Sequence, residues 1–162
     1  MAKVMFNEQE CDLWDMYDAN HYVCITTNGV LNRERDSVMG KGSAREAASR
    51  FIGIQQWLGK QIMHYGNVPF KYPHAKIISF PTKHDWHVTS DLNLIMSSFQ
   101  KIIVMFEKIR ETEPEAELYS PRPGCGSTTG QLDWESKVKP ALIQRLYHKA
   151  VPWLTFVHLE GK

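Results

Sequence analysis

Two glycine-rich segments and one lysine hold most of the chemical possibilities of this 162-residue chain. The first segment is Val38-Met39-Gly40-Lys41-Gly42-Ser43-Ala44. The second is Pro121-Arg122-Pro123-Gly124-Cys125-Gly126-Ser127-Thr128-Thr129-Gly130-Gln131-Leu132-Asp133-Trp134. Each reads as a strand, a glycine loop and a helix start. Such loops turn backbone N–H groups toward one point, where the helix dipole also favours negative charge. Two of them on one small domain predict a cradle for a diphosphate-containing ligand. A pair of tight strand-to-helix connections with no ligand is the other reading of this spacing. Ser127, Thr128 and Thr129 add donors to the second loop, and long loops in compact domains are often functional.

Lys83 closes the run Phe80-Pro81-Thr82-Lys83. On spacing alone it is a solvated surface lysine. Placed at a strand end, it can also reach a ligand held by the loops, as a positive charge or, if desolvated, as a nucleophilic amine. Trp86 and His87 follow and could cover a base or a ribose, although aromatic packing beneath a loop is the commoner use. The seven histidines have no metal-ligand spacing, so no metal site is expected. Asp133 suits an N-cap, Trp134 a core position, and Cys125 a small buried residue with no evident base beside it.

The elements that position these residues can be read from periodicity. Short strands are expected at Val4–Asn7, Tyr22–Thr27, Ala75–Phe80, Glu117–Ser120 and Trp153–Leu159. A helical pattern runs over 43–64 with a break near Gly53, and a third helix covers Glu135 to about His148. The clearest helix runs from Asp91 to about Arg110, with Leu92, Ile95, Phe99, Ile102, Ile103, Phe106 and Ile109 on one stripe and Ser90 as its N-cap. Leu31–Ser37 is polar and reads as a solvated loop. Alternating strands and helices imply an α/β sheet, mixed or mostly parallel, covered by helices on both faces. Ligands of such folds bind beyond the C-terminal strand ends, where both glycine segments lie.

Composition narrows the class. At 43% hydrophobic and 23% charged residues the chain is globular, and 162 residues make a single domain, 1–162. A formal net charge of +1 argues against broad, nonspecific nucleic-acid binding. Cys11, Cys24 and Cys125 are odd in number and lack CxxC spacing, so neither a disulfide framework nor a zinc site is implied. With no signal peptide or membrane-length apolar run in view, the expectation is a soluble cytoplasmic protein with no membrane partner.

In this order and spacing the motifs resemble those of the macrodomain family. Thr26-Thr27-Asn28-Gly29 followed by Val38–Ala44 is similar to its first ligand loop. Phe80-Pro81-Thr82-Lys83, with Trp86-His87 two residues on, resembles the "FPTK-x-x-W-R" run of one branch. Pro123-Gly124-Cys125-Gly126 through Gln131-Leu132-Asp133-Trp134 resembles that branch's "P-x-G-C-G…G-L-D-W" loop. The branch includes an antitoxin macrodomain that removes ADP-ribose from DNA bases and human enzymes that remove it from glutamate. The resemblance spans about Asp12 to about Leu159.

It implies a three-layer α/β/α fold with a mixed central sheet, an ADP-ribose ligand and no cofactor. Asp12 resembles the acid that accepts from the adenine amino group, with Cys11 where a glycine usually stands. Asn28, with Met39, Gly40, Lys41 and Gly42, resembles the elements around the distal ribose. Gly124, Cys125, Gly126, Ser127, Thr128, Thr129 and Gly130 resemble the loop over the diphosphate. Lys83 matches the lysine that engages the distal ribose C1 region in hydrolytic members, so Lys83 and Asn28 are the implied catalytic residues. Three differences stand out. Ser127-Thr128-Thr129 lengthens the second loop and puts hydroxyls where some hydrolytic members have an acid. His87 replaces the arginine. Asn32–Asp36 enlarges the first loop. The implied functions are hydrolysis of an ADP-ribosyl linkage on DNA or protein, or non-catalytic binding of ADP-ribose or a related signalling nucleotide. A third is removal of phosphate from an ADP-ribose phosphate.

Overall fold

The computed structural model describes residues 4–126 and 131–159. In chain order these form β1 (Asn7–Glu10), α1 (Leu13–Asp18), β2 (Tyr22–Asn28), α2 (Gly42–Arg50), α3 (Ile54–Tyr65), β3 (Ile77–Lys83), α4 (Leu92–Thr112), β4 (Leu118–Pro121), a π-helical turn (Trp134–Val138), α5 (Lys139–Arg145) and β5 (Leu154–His158). The sheet order is β1-β5-β4-β2-β3, and each of these pairings is parallel. Antiparallel character enters at the β3 edge. There Lys71 bridges Ile78, flanked by bonds from Tyr72 N to Ile77 O (2.9 Å) and from Ser79 N to Phe70 O (2.8 Å). The sheet is mixed only through this short strip.

Side-chain alternation along the strands builds the layers. On β2, Tyr22 and Cys24 join a core with α4, α5 and the π-turn, while Val23 and Ile25 join a second core with α1, α2 and α3. A strand buried on both faces reads as a continuous apolar run, which is what 22–25 is. The α4 stripe behaves as its spacing predicts: Ile95, Phe99, Ile102, Ile103 and Phe106 are buried, and Leu92 and Ile109 pack at the margin. No helix among the described residues is long and apolar enough to cross a membrane.

Several boundaries differ from the sequence expectation. The first strand is Asn7–Glu10 rather than Val4–Asn7, because the polar residues pair with β5 on the open sheet edge while Phe6 turns into the core. Asp91, not Ser90, caps α4: its Oδ1 accepts from Asn93 N (2.9 Å) and Leu94 N (3.4 Å). The last helix opens as a π-turn and ends at Arg145. A short helix, α1, follows Asp12, whose Oδ1 accepts from Trp14 N at 2.8 Å. Pro81 does not end β3. It sits next to a bulge on an edge strand, where a missing N–H is tolerated.

The 31–37 segment is a folded hairpin, not a free loop. Leu31 bridges Ser37, Val38 N donates to Val30 O (3.0 Å), and Asn32 Oδ1 accepts from Glu34 N and Asp36 N, both at 3.0 Å. The hairpin docks on α3 at Gly59, where a Cβ would lie 2.2 Å from Arg35 O and 2.9 Å from Asp36 Cα. Gly59→Ala is therefore expected to destabilise the protein by roughly 1–3 kcal/mol, as overpacking does. Thermal unfolding measures this, and an unchanged melting temperature would show that the hairpin is not docked.

Candidate ligand cleft

Because the strands run parallel, all five C-terminal ends emerge on one edge of the sheet. The chain leaves β2 toward β3 on one side and returns to β4 on the other, so the topological switch point lies between β2 and β4. Ligands bind at such points. The two glycine segments follow these two strands. Between them opens a cleft of about 630 Å³, within the range of small-molecule sites. It runs from the end of β3 to that of β5, three strand steps or roughly 14 Å.

At one end, a bulge in the β2–β3 ladder sets Asn28 directly across from Lys83. The backbone there is pinned on several sides. Ser98 Oγ donates to Pro81 O (3.0 Å), Asn67 Nδ2 to Lys83 O (3.0 Å), Asp91 N to Thr82 O (2.9 Å) and Gly29 N to His84 O (3.2 Å). Lys83 lines the cleft, and its amine has no hydrogen-bond or ion-pair partner among the described residues. Burial, aided by the charge of Lys41, pulls its amine below the usual lysine range. It is half-buried in the cleft wall. Asn28 also lines the cleft, but its amide clips the hairpin base: Oδ1 accepts from Val30 N (2.9 Å) and Nδ2 donates to Val38 O (3.2 Å).

Along the first glycine segment, Met39 is 4% exposed and anchors the segment in the core. Gly40 is open, and Gly42 has φ +60°, which favours glycine. Lys41 occupies the N-cap of α2 without offering an acceptor, so no cap side chain satisfies the first-turn N–H groups. Ser43 Oγ instead accepts from Thr26 N at 3.0 Å, stitching α2 to the end of β2.

On the described flanks of the second segment, Leu132 N donates to Gly124 O (2.7 Å) and Cys125 N to Arg122 O (3.2 Å). Gly124 has φ +75°, and a Cβ there would lie 2.6 Å from Ile95 Cδ1. Gly124, Cys125 and Gly126 line the cleft. Cys125 is half-buried rather than buried, and its thiol is pushed up to about 12 by desolvation, which leaves little thiolate. Ser127, Thr128, Thr129 and Gly130 lie outside the described residues. Asp133 caps the π-turn, accepting from Ser136 N at 2.8 Å.

Asp12 stands at the opposite end of the cleft, beside Trp14 and His158. Trp86 is not packed beneath a loop. It is 52% exposed and forms a rim of the cleft near Lys83. Gln131, Glu46 and His158 also line the cleft and were not singled out from the sequence. His158 ends a strand, and that position was its available signal. Among the described residues, no three His, Cys, Asp or Glu side chains converge as metal ligands.

No family model matches the chain, and no curated protein is similar to it in sequence. Solved structures are similar in fold. The macrodomain of Thermus aquaticus DarG superposes with a TM-score of 0.71 over 96% of this chain and 99% of that one, at 22% identity. The fold is that of a macrodomain. The macrodomain of Mycobacterium tuberculosis DarG gives 0.67 over 98% of this chain and 100% of its own, also at 22% identity. Thermosipho africanus DarTG, solved in complex with ADP-ribose, gives 0.61 at 24% identity over 88% of this chain and 39% of that longer one. The macrodomain fold accounts for the three layers and for the crevice between the loops that follow β2 and β4.

Proposed function

We propose that the cleft binds ADP-ribose, or an ADP-ribosyl group, and that Lys83 acts on the linkage at the distal ribose. The observation that carries this reading is the convergence of the two glycine segments, Lys83 and Asp12 on one crevice of a macrodomain fold. The diphosphate faces backbone N–H groups of the glycine segments and the charge of Lys41. The adenine end lies toward Asp12. The distal ribose lies at the end of β3, within reach of the Lys83 amine. Asn28 lines the same end of the cleft and holds the hairpin base through its amide, which fixes the first glycine segment beside the distal ribose.

The hydrolytic reading rests on a lysine beside the anomeric carbon whose amine is held below the usual lysine range. A neutral amine attacks that carbon and forms a C–N bond as the bond to the base nitrogen or carboxyl oxygen breaks, the proton of the amine passing to the leaving group; water then adds to the same carbon, the C–N bond breaks, and the lysine amine is restored. A non-catalytic binder is the second reading. It is favoured by one observation: among the described residues the charge that shifts the Lys83 amine is that of Lys41, not of a carboxylate.

ADP-ribose is expected to bind with micromolar affinity, about −8 kcal/mol, without a metal. Calorimetry with and without chelator measures this. An absence of heat at millimolar ligand, or a strict need for magnesium, would overturn the assignment. Turnover of ADP-ribosylated DNA and ADP-ribosylated protein, assayed alongside, separates the enzyme from the binder and identifies the linkage.

A further inference from the structure

Gln131 Oε1 accepts two hydrogen bonds inside the cleft, from Gly126 N at 3.3 Å and from Ser90 Oγ at 3.3 Å. Both are long for their type, as expected when one oxygen is shared. Ser90 is 5% exposed, and its Cβ would lie 3.1 Å from a Cβ at Gly124. The oxygen is therefore held from a fixed point beneath the second segment. Gly126 is exposed and lines the cleft together with Gln131. Its N–H is thus a cleft donor that already has a neutral acceptor.

The geometry points to Gln131 as a specificity-determining residue: its carboxamide oxygen stands in for a ligand phosphate oxygen on Gly126 N–H, and only an anionic oxygen displaces it. The reason is the difference between acceptors. A hydrogen bond to an ionised oxygen is about twice as strong as a neutral one. A sugar hydroxyl gains nothing by replacing a carboxamide that is already in place. A diphosphate oxygen gains the charge-assisted difference. The side chain thereby lowers affinity for every ligand that uses this donor, and raises discrimination in favour of phosphate-bearing ligands over nucleosides. This inference rests on the reading of the cleft as an ADP-ribose site.

The test is calorimetry on the full chain and its Gln131→Ala and Gln131→Glu variants, with ADP-ribose and with adenosine, beside thermal melts. Gln131→Ala removes the competitor, so ADP-ribose is expected to bind about three- to tenfold more tightly, with adenosine unchanged. Gln131→Glu puts a carboxylate on the same donor and repels the diphosphate, so ADP-ribose is expected to weaken by at least about tenfold, again with adenosine unchanged. Tighter binding by the first variant is an outcome that a merely structural role would not produce. Equal or weaker ADP-ribose binding by Gln131→Ala, when the wild-type protein binds, overturns the inference and leaves the cleft assignment standing. If neither the wild-type protein nor any variant binds ADP-ribose, the cleft assignment fails and this inference fails with it.

Discussion

Replacing Lys83 by alanine is expected to abolish turnover of an ADP-ribosylated substrate while shifting ADP-ribose affinity by less than about tenfold, or 1.4 kcal/mol. The separation follows from position. Lys83 enters the cleft at the end of β3, from a backbone held on several sides, so its removal changes little else. The diphosphate rests on other groups. If Lys83 is only a charge contact, affinity and turnover fall together. Unchanged turnover refutes its catalytic assignment. A pH profile adds a second check. The neutral amine is the reactive form and predominates above the amine's pKa, so turnover should rise with pH. Since burial and then Lys41 lower that pKa, the rise should be complete below the pH a free lysine needs. Lys41→Met removes the like charge and should move the inflection upward, but only in part, because desolvation is the larger cause. An inflection that stays in place would mean that Lys41 does not act on the catalytic amine.

Gly126→Val is expected to reduce ADP-ribose affinity by at least about a hundredfold, roughly 2.7 kcal/mol, with the fold intact. Among the described residues the nearest atom to a Cβ at 126 is Gln131 Cδ at 3.9 Å, an ordinary contact, so the backbone can carry the substitution. The branched side chain then stands in the cleft beside the donor it must not cover. Gly124→Ala is the contrasting variant. Its φ of +75° and the 2.6 Å approach to Ile95 Cδ1 place its cost in folding, so its melting temperature should fall. Two glycines two residues apart thus serve different ends. Wild-type binding by a folded Gly126→Val protein would show that the second segment does not cradle the phosphates.

Much of this was legible in the chain itself. The α4 stripe, the β2 run and the Gly53 break announced their elements, because burial on one face or on both writes a period into the sequence. That the two glycine segments and Lys83 share one cleft was legible too, because loops that follow strands gather at one sheet edge. Other features needed the tertiary structure. Whether Lys83 was solvated or in a cleft depended on the β2–β3 bulge, which sets it across from Asn28. The docked hairpin depended on an approach to Gly59 that is closer than any side chain permits. The resemblance implies a catalytic Asn28; only the tertiary structure shows that its amide, on the cleft wall, also binds its own loop. Gln131 stood in the second segment, but its bond to a serine forty-one residues away was not legible there. Local periodicity determines which residues are buried and where the chain turns. Which distant groups then share a hydrogen bond is decided only when sheet order and register bring them within about 3 Å.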